Sequence, residues 1–196
     1  SNEWLEHAAK TDIGLRRANN QDSHAEDLAG SQESFATRGH LFIVADGMGA
    51  HAAGETASKK AVEIIPLTYR KLKDIPAAEA LREAVLEANR QIYECAQANE
   101  DFRGMGTTVS ALVILPSGAL VAQVGDSRVY RCRQQRIEQL SQDHSLVWEL
   151  RNLPDEIRPQ YIPRNIITRS LGPQMNVEVD LEGPFPIQAG DRFILC

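Results

Sequence analysis

One stretch constrains the fold most strongly, and it runs from residue 107 to residue 140: TTVSALVILPSGALVAQVGDSRVYRCRQQRIEQL. It is rich in the β-branched residues that favour strands. Turn-forming residues interrupt it at 116–118 (Pro-Ser-Gly) and at 134–135 (Gln-Gln), spacings typical of hairpins. The segments VEVDLEG and GDRFILC add two more candidate strands. Consecutive hairpins predict an antiparallel sheet rather than a parallel one.

Two helices are predicted before this region. The first begins near Ala52, and we expect Pro66 to end or kink it, because proline lacks the N–H that a helix interior needs. The second is predicted from Ala77 to Asn99. Its apolar residues recur at helical spacing, at positions Leu81, Val85, Ala88, Ile92 and Ala96. The two helices adjoin instead of alternating with strands, so the pattern predicts an α+β fold and not a doubly wound α/β fold.

The rest of the chain carries weaker signals. A strand is predicted near residues 8–13 and a short strand at residues 40–45. The segment from Leu146 to Arg164 contains three prolines, which favour a short helix followed by an irregular excursion.

Composition excludes several classes of function. The 196 residues are enough for one domain with a sizeable core. A net charge of −6 gives no general attraction to nucleic acid or to an anionic membrane. The three cysteines form no CxxC pair, which favours free thiols in a reducing compartment. No apolar run reaches membrane-spanning length and no signal-peptide pattern is present, so we expect a cytoplasmic protein.

The segment VADGMGAHAAGE, residues 44–55, has two readings. GMGAHA fits a loose dinucleotide-binding fingerprint after a strand and before a helix. Against this, Asp46 would place a negative charge beside the pyrophosphate, and no second βαβ unit follows. An oxidoreductase built on this motif is therefore the weaker hypothesis.

The alternative reading makes Asp46 a metal ligand. A carboxylate at a strand end is held rigidly, and the adjacent Gly47 allows a backbone carbonyl to reach the same ion. Mn²⁺ and Mg²⁺ take several oxygen ligands, and further candidate carboxylates are present at Asp12, Asp22 and Asp126. Taken singly, each aspartate is more typical of a turn. Together, with Arg17 close to Asp22, they indicate a metal cluster with an anion-binding arginine.

These segments also carry a resemblance to a known family. The sequence resembles the metal-dependent serine/threonine phosphatases of the protein phosphatase 2C family, in their compact bacterial form. The resemblance extends in order over almost the whole chain, through TDIGLRRANNQDS, FIVADGMGAHAAGETAS, GMGTTVSALVI, AQVGDSRVYR, LSQDHSLV, NIITRSLG and AGDRFILC.

The resemblance implies a fold and a site. The fold is a β-sandwich of two antiparallel sheets flanked by helix pairs, with two Mn²⁺ or Mg²⁺ ions at one end and a possible third. By resemblance Asp46 bridges two metals, the carbonyl of Gly47 binds one of them, and Asp22 helps to anchor a metal. Asp126 belongs to the third metal, and Arg17 binds the substrate phosphate, to which a guanidinium fork is well matched.

The resemblance also implies a reaction. A metal-activated water hydrolyses phosphoserine or phosphothreonine in proteins, without a phosphoenzyme. The expected partners are phosphoproteins and a cognate bacterial Ser/Thr kinase, and we expect a monomer. A module of the same fold that binds phosphoproteins without turnover is the alternative.

Several positions depart from the family pattern. Gln21 stands where a glutamate is common, which is expected to loosen the second metal. Met48 stands where some members carry a general-acid histidine, so His51, three residues later, is the candidate for that role. The role expected for His144 is local hydrogen bonding, and Thr107 and Thr108 are expected to be structural.

The family pattern continues beyond Cys196 with a Ser-Asp-Gly motif. We therefore expect residues 1–196 to be a single phosphatase catalytic domain truncated before its last metal-binding motifs. In this reading the chain is a fragment of an active enzyme and is itself expected to be inactive.

Overall fold

The computed structural model describes residues 5–15, 18–50, 52–154, 156–157 and 159–196. The strands are β1 (Asp22–Asp27), β2 (His40–Met48), β3 (Gly106–Thr107), β4 (Val109–Leu115), β5 (Gly118–Val124), β6 (Val129–Arg133), β7 (Arg136–Gln139), β8 (Asp180–Phe185) and β9 (Arg192–Leu195). The helices are α1 (Gln32–Arg38), α2 (Ala53–Lys71), α3 (Ala77–Ala98) and α4 (Leu146–Glu149), with a 3₁₀ turn at Glu100–Phe102. Within the described ranges, no helix has the length and apolar character needed to cross a membrane.

The larger sheet has the order β1-β2-β4-β5-β8, and β3 pairs with the end of β2. Every pair in it is antiparallel, as the hairpin pattern predicts. Its central strand β4 is buried on both faces. Val109, Ala111 and Val113 join the core beneath the helices, while Leu112 and Ile114 join a second core on the opposite face. The alternation of side chains along a strand produces this division.

The second core lies between the two sheets. The smaller sheet has the order β7-β6-β9 and is also antiparallel. Val129 of β6, with Phe193 and Leu195 of β9, packs against Leu112 and Ile114 of the larger sheet. The predicted α+β fold with an antiparallel β-sandwich is confirmed.

The helices α2 and α3 pack on each other and on the other face of the larger sheet. The predicted apolar stripe of α3 is buried, from Leu81 to Ala96, and the helix ends one residue before the predicted end. Pro66 does not end the first helix, because α2 continues through it to Lys71. Pro66 removes a single N–H, whereas Ile65 and Tyr69 are fully buried on either side of it and hold the helix to the core.

Two strand predictions also need correction. Residues 8–13 form no strand. The strand predicted for residues 40–45 continues to Met48, because its last residues pair with β3, Gly47 opposite Thr107. Asp46 and Gly47 therefore lie inside β2 rather than in a turn after it.

The predicted turns are present. Pro116 and Ser117 connect β4 to β5, and Gln134 and Gln135 connect β6 to β7 with positive φ angles of 46° and 65°. Such angles are typical of a tight two-residue hairpin turn. The segment after Ser145 forms the short helix α4 and then runs irregularly, as predicted.

Candidate active site

Asp22 and Asp46 are brought together by strand pairing. They are directly opposite each other in the antiparallel register of β1 and β2. Side chains of such partners project from the same face of a sheet, with Cβ atoms about 4.5–5.5 Å apart. Asp46 shares its face of β2 with Phe42, which packs into the core between the sheets. The two carboxylates therefore lie on the side of the larger sheet that faces the smaller one.

A cavity of about 310 Å³ opens at this position. Its lining includes Asp12, Asp22 and Asp46, together with Lys10, His24 and Ser127. Asp12 also accepts a hydrogen bond from the backbone N–H of Gly14 at 2.8 Å. Three of the four aspartates singled out in the sequence thus share one cavity, although they come from different segments of the chain.

The backbone of Asp46 is fixed by two buried threonines. Its N–H donates to Thr108 Oγ1 at 2.9 Å, and its carbonyl accepts from the Thr108 N–H at 2.9 Å. Thr107 Oγ1 donates to the same carbonyl at 3.1 Å. Both threonines are fully buried. The structural role expected for them is confirmed, and it consists of holding the strand segment that carries Asp46.

Gly47 lies where no side chain fits. A Cβ atom placed there would be 2.0 Å from the carbonyl oxygen of Gly54 and 2.7 Å from that of Gln21. The Gly47 N–H donates to the Gln21 carbonyl at 3.0 Å. The glycine therefore allows three backbone segments to meet: the approach to β1, the end of β2 and the start of α2.

Ser58 of α2, which no sequence motif indicated, completes this junction. Its hydroxyl is buried and donates to the Gln21 carbonyl at 2.6 Å, and it lies 2.9 Å from the hydroxyl of Ser23. A serine beside the small apolar residues on the buried face of a predicted helix was the available signal. The Gln21 side chain, in turn, donates to the carbonyl of Gly49 at 3.2 Å, so its amide braces the glycine turn.

Asp126 follows β5 in a sharply turned loop. Gly125 has φ +107°, and a Cβ atom there would lie 2.6 Å from Thr108 Cγ2, so the position requires glycine. Burial, and secondarily the neighbouring charge of Asp143, raises the pKa of Asp126 despite a backbone hydrogen bond and Arg128. Ser127 lines the cavity, whereas Asp126 is not among the described residues of its lining. The structure thus places Asp126 beside the cavity rather than in its wall.

Two of the predicted site residues, Arg17 and His51, lie outside the described residues. Their roles in phosphate binding and proton donation stay predictions.

The described residues supply part of a divalent-cation site. Two carboxylates placed directly opposite each other on one face repel, and a cation between them reverses the sign of that interaction. Oxygen donors of this type are the ligands that Mn²⁺ and Mg²⁺ prefer. Within the described ranges, however, no group of three or more His, Cys, Asp or Glu side chains is close enough together to hold a metal ion. Asp22 and Asp46 fit such an ion but do not complete its coordination.

Comparison with known proteins decides the family. The model of the family described as protein phosphatase 2C matches residues 16–158, which is more than half of the chain. The chain belongs to the protein phosphatase 2C family. The matched region contains the cavity residues Asp22, Asp46 and Ser127 and both long helices.

Individual bacterial phosphatases are similar over most of the chain. The serine/threonine phosphatase stp of Listeria welshimeri is 37% identical over 180 residues, which cover 88% of this chain and 71% of that protein. The protein phosphatase PhpP of Streptococcus pneumoniae is 36% identical over 97% of this chain and 77% of its own length. The solved structure of the S. agalactiae serine/threonine phosphatase is 37% identical, with a TM-score of 0.75 and coverage of 95% of this chain and 76% of that one.

Proposed function

We propose that this protein phosphatase 2C family member hydrolyses phosphoserine and phosphothreonine in proteins. The observation that carries the proposal is the placement of Asp22 and Asp46 as cross-strand partners at the wall of a cavity, in a chain of this family. The names of the relatives from Listeria welshimeri and S. agalactiae, which are serine/threonine phosphatases, support the substrate class.

The proposal includes two Mn²⁺ or Mg²⁺ ions, with a possible third. Asp46 and Asp22 would hold the pair with the carbonyl of Gly47, and Asp126 would hold the third. Bound ions of this kind lower the pKa of a coordinated water, so that a nucleophile is available at neutral pH. The support for these ligands is the shared face of the two opposed carboxylates and the close backbone packing that only glycine permits at position 47.

The residues of the chain perform the remaining tasks. Thr107 and Thr108 bind the backbone N–H and carbonyl of Asp46, so the strand segment that carries its carboxylate is held in place. Arg17 is proposed to bind the substrate phosphate through a bidentate guanidinium. His51 is proposed to deliver a proton to the leaving serine or threonine oxygen.

We also propose that residues outside this chain complete the metal coordination. The chain spans 71–77% of the length of the relatives described above. Mg²⁺ in proteins keeps several waters and binds one or two carboxylates, so a pair of ions at Asp22 and Asp46 would draw on further carboxylates. In this proposal the chain is one catalytic domain that needs a longer sequence for turnover.

The cellular setting is also a proposal. We propose a monomer in the cytoplasm that opposes a cognate Ser/Thr kinase. The free thiols of Cys95, Cys132 and Cys196 agree with a reducing compartment.

The test is phosphate release from a phosphothreonine peptide, with and without Mn²⁺. Two proteins are compared, namely this chain and one extended to the length of its relatives. Turnover by the extended protein only when metal is present supports the proposal. A folded, Mn²⁺-binding extended protein that binds the peptide but releases no phosphate would replace it with the binding-module alternative.

A further inference from the structure

The geometry points to His144 as a positioning residue that fixes the amide of Gly125 and thereby the direction of the Asp126 side chain. This inference rests on the proposed function, because it concerns how Asp126 is presented to a metal. It assigns His144 a specific task beyond the local hydrogen bonding that the sequence suggests.

The backbone and ring of His144 both bind Gly125. The ring Nδ1 accepts from the Gly125 N–H at 3.0 Å, and the backbone N–H of His144 donates to the Gly125 carbonyl at 2.8 Å. Both polar groups of this peptide segment are therefore satisfied by one residue. Because Nδ1 accepts a hydrogen bond, the ring proton of neutral His144 is on Nε2.

The other ring nitrogen holds the imidazole in place. Nε2 lies 2.9 Å from Asp180 Oδ2, and Arg169 donates to Asp180 Oδ1 at 2.6 Å. Burial alone would raise the pKa of Asp180, but the hydrogen bonds from His144 and Arg169 outweigh it and hold this pKa below its ordinary value. Asp180 is therefore a carboxylate acceptor at neutral pH, and it fixes both the tautomer and the orientation of the ring.

Asp180, which holds the ring, lies in the larger sheet. Asp180 begins β8 and is the cross-strand partner of Gln123 in β5. The Gln123 amide donates to the carbonyls of Gly125 at 3.0 Å and Ser127 at 2.6 Å. Among the described residues, the loop from Gly125 to Ser127 is thus held by Gln123 and by His144, and the Ser127 hydroxyl also lies 2.6 Å from Thr108 Oγ1.

Within the described residues, His144 Nδ1 is the acceptor of the Gly125 N–H at the start of this loop. Gly125 is buried and has φ +107°, a conformation that depends on the surrounding contacts to persist. Removal of the imidazole would leave the Gly125 N–H without its acceptor, in a place where a buried donor needs one. The loop would shift to recover a partner, and Asp126, one residue later, would shift with it.

The two nitrogens can be tested separately, because amide side chains imitate them. The Asn side chain places Oδ1 near the position of Nδ1, and the Gln side chain reaches the position of Nε2. His144→Asn therefore keeps an acceptor for Gly125, whereas His144→Gln keeps a contact with Asp180, and His144→Ala keeps neither. The three variants are made in the chain extended to the length of its relatives.

The first readout is amide exchange of Gly125 in metal-free protein. We expect exchange to be at least about tenfold faster in His144→Ala and His144→Gln than in wild type and His144→Asn, because the donor opens locally. The second readout is the Mn²⁺ concentration that gives half-maximal phosphate release. We expect this Mn²⁺ concentration to rise about tenfold or more in His144→Ala, with a smaller fall in the rate at saturating Mn²⁺. Such an effect is typical when a residue that orients a metal ligand is removed.

A double variant connects the two effects. If His144 acts through Asp126, His144→Ala should not further raise the half-maximal Mn²⁺ concentration in an Asp126→Asn background. Equal Mn²⁺ dependence in wild type and His144→Ala would overturn the inference. It would also be overturned if the half-maximal Mn²⁺ concentration of His144→Gln were closer to that of wild type than that of His144→Asn. If His144→Ala does not fold, the Asn and Gln variants carry the same comparison.

The failure of this inference can be distinguished from failure of the proposed function. If the wild-type extended protein releases no phosphate at any Mn²⁺ concentration, the proposed function is wrong. Exchange of the Gly125 amide in the metal-free variants then still shows whether His144 fixes this peptide.

Discussion

Substitution of Gly47 by alanine is the most direct test of how the backbone is packed at the site. The new Cβ atom would lie 2.0 Å from the Gly54 carbonyl oxygen, whereas ordinary contact begins near 3.4 Å. Both partners are backbone, so neither can rotate away. The end of β2 and the start of α2 must then separate by more than an ångström, which also stretches the 3.0 Å hydrogen bond from Gly47 to Gln21.

The expected cost follows from these two effects. Overpacking of a tight interior contact costs about 1–3 kcal/mol, and loss of the hydrogen bond adds about 1 kcal/mol. We therefore expect Gly47→Ala to lower the free energy of unfolding by about 2–4 kcal/mol, which corresponds to a fall in Tm of about 4–16 °C for a domain of this size. Thermal unfolding followed by circular dichroism measures this directly.

Gly30→Ala is the matched control. No atom lies within 4 Å of a Cβ placed at Gly30, and its φ is outside the range that disfavours side chains. This variant should unfold within about 0.5 kcal/mol of wild type, as is usual for exposed substitutions. If Gly47→Ala unfolds at the same temperature as Gly30→Ala, the close packing described for β2 and α2 is wrong.

Two further predictions concern the core and an ion pair. Leu81→Ala, at a fully buried position in α3, should lower the free energy of unfolding by about 2–5 kcal/mol. Leu67→Ala, at a position 62% exposed in α2, should lower it far less. Equal effects of the two substitutions in urea denaturation would contradict the assigned helix faces. Arg133 holds the pKa of Asp191 below its ordinary value of 3.8 through two hydrogen bonds of 2.6 Å. Asp191→Asn should therefore lower the free energy of unfolding at pH 7. This difference from wild type should disappear as the pH falls below about 3.8 and through the pKa of Asp191 in the folded protein. A difference that persists unchanged at low pH in the same denaturation assay would refute this linkage.

Local sequence patterns predicted the elements with strong periodicity or clear turns. The helix α3 was predicted because its apolar residues repeat every three or four positions, and packing agrees with that repeat. The hairpin turns were predicted because Pro116-Ser117-Gly118 suits a tight turn and Gln134-Gln135 separates two strand-like segments. The β-sandwich was implied by the family resemblance, and in the structure β4 is buried on both faces and covered on each.

Predictions from a single residue were less successful. Pro66 normally ends a helix, but burial of Ile65 and Tyr69 outweighs the loss of one hydrogen bond. β2 extends beyond its predicted end because β3, some sixty residues later in the chain, pairs with Gly47 and Met48. Such pairing depends on distant residues, so no local window can reveal it.

For the candidate site, too, local motifs indicated some residues, whereas their contacts depend on distant parts of the chain. Its residue types were recognised from the motifs, but the partnership of Asp22 with Asp46 depends on the register between β1 and β2. The contacts of Ser58 and His144 join distant segments: Ser58 had no local signal beyond a polar residue near apolar ones, and hydrogen bonding was expected of His144 without its partners. Arg17 and His51, which the sequence also indicated, stay predictions.

The central claim is that Asp46 is essential for metal-dependent phosphate release. The decisive measurement is phosphate release from a phosphothreonine peptide by the extended protein and its Asp46→Asn variant across a Mn²⁺ titration. Asp101→Asn is the control, because it makes the same change in charge at an exposed residue of the 3₁₀ turn. We predict Mn²⁺-dependent release by wild type and Asp101→Asn and at least about a hundredfold loss in Asp46→Asn, the scale on which removal of one electrostatic partner acts in catalysis. Release by Asp46→Asn with the rate and Mn²⁺ dependence of wild type would contradict the account.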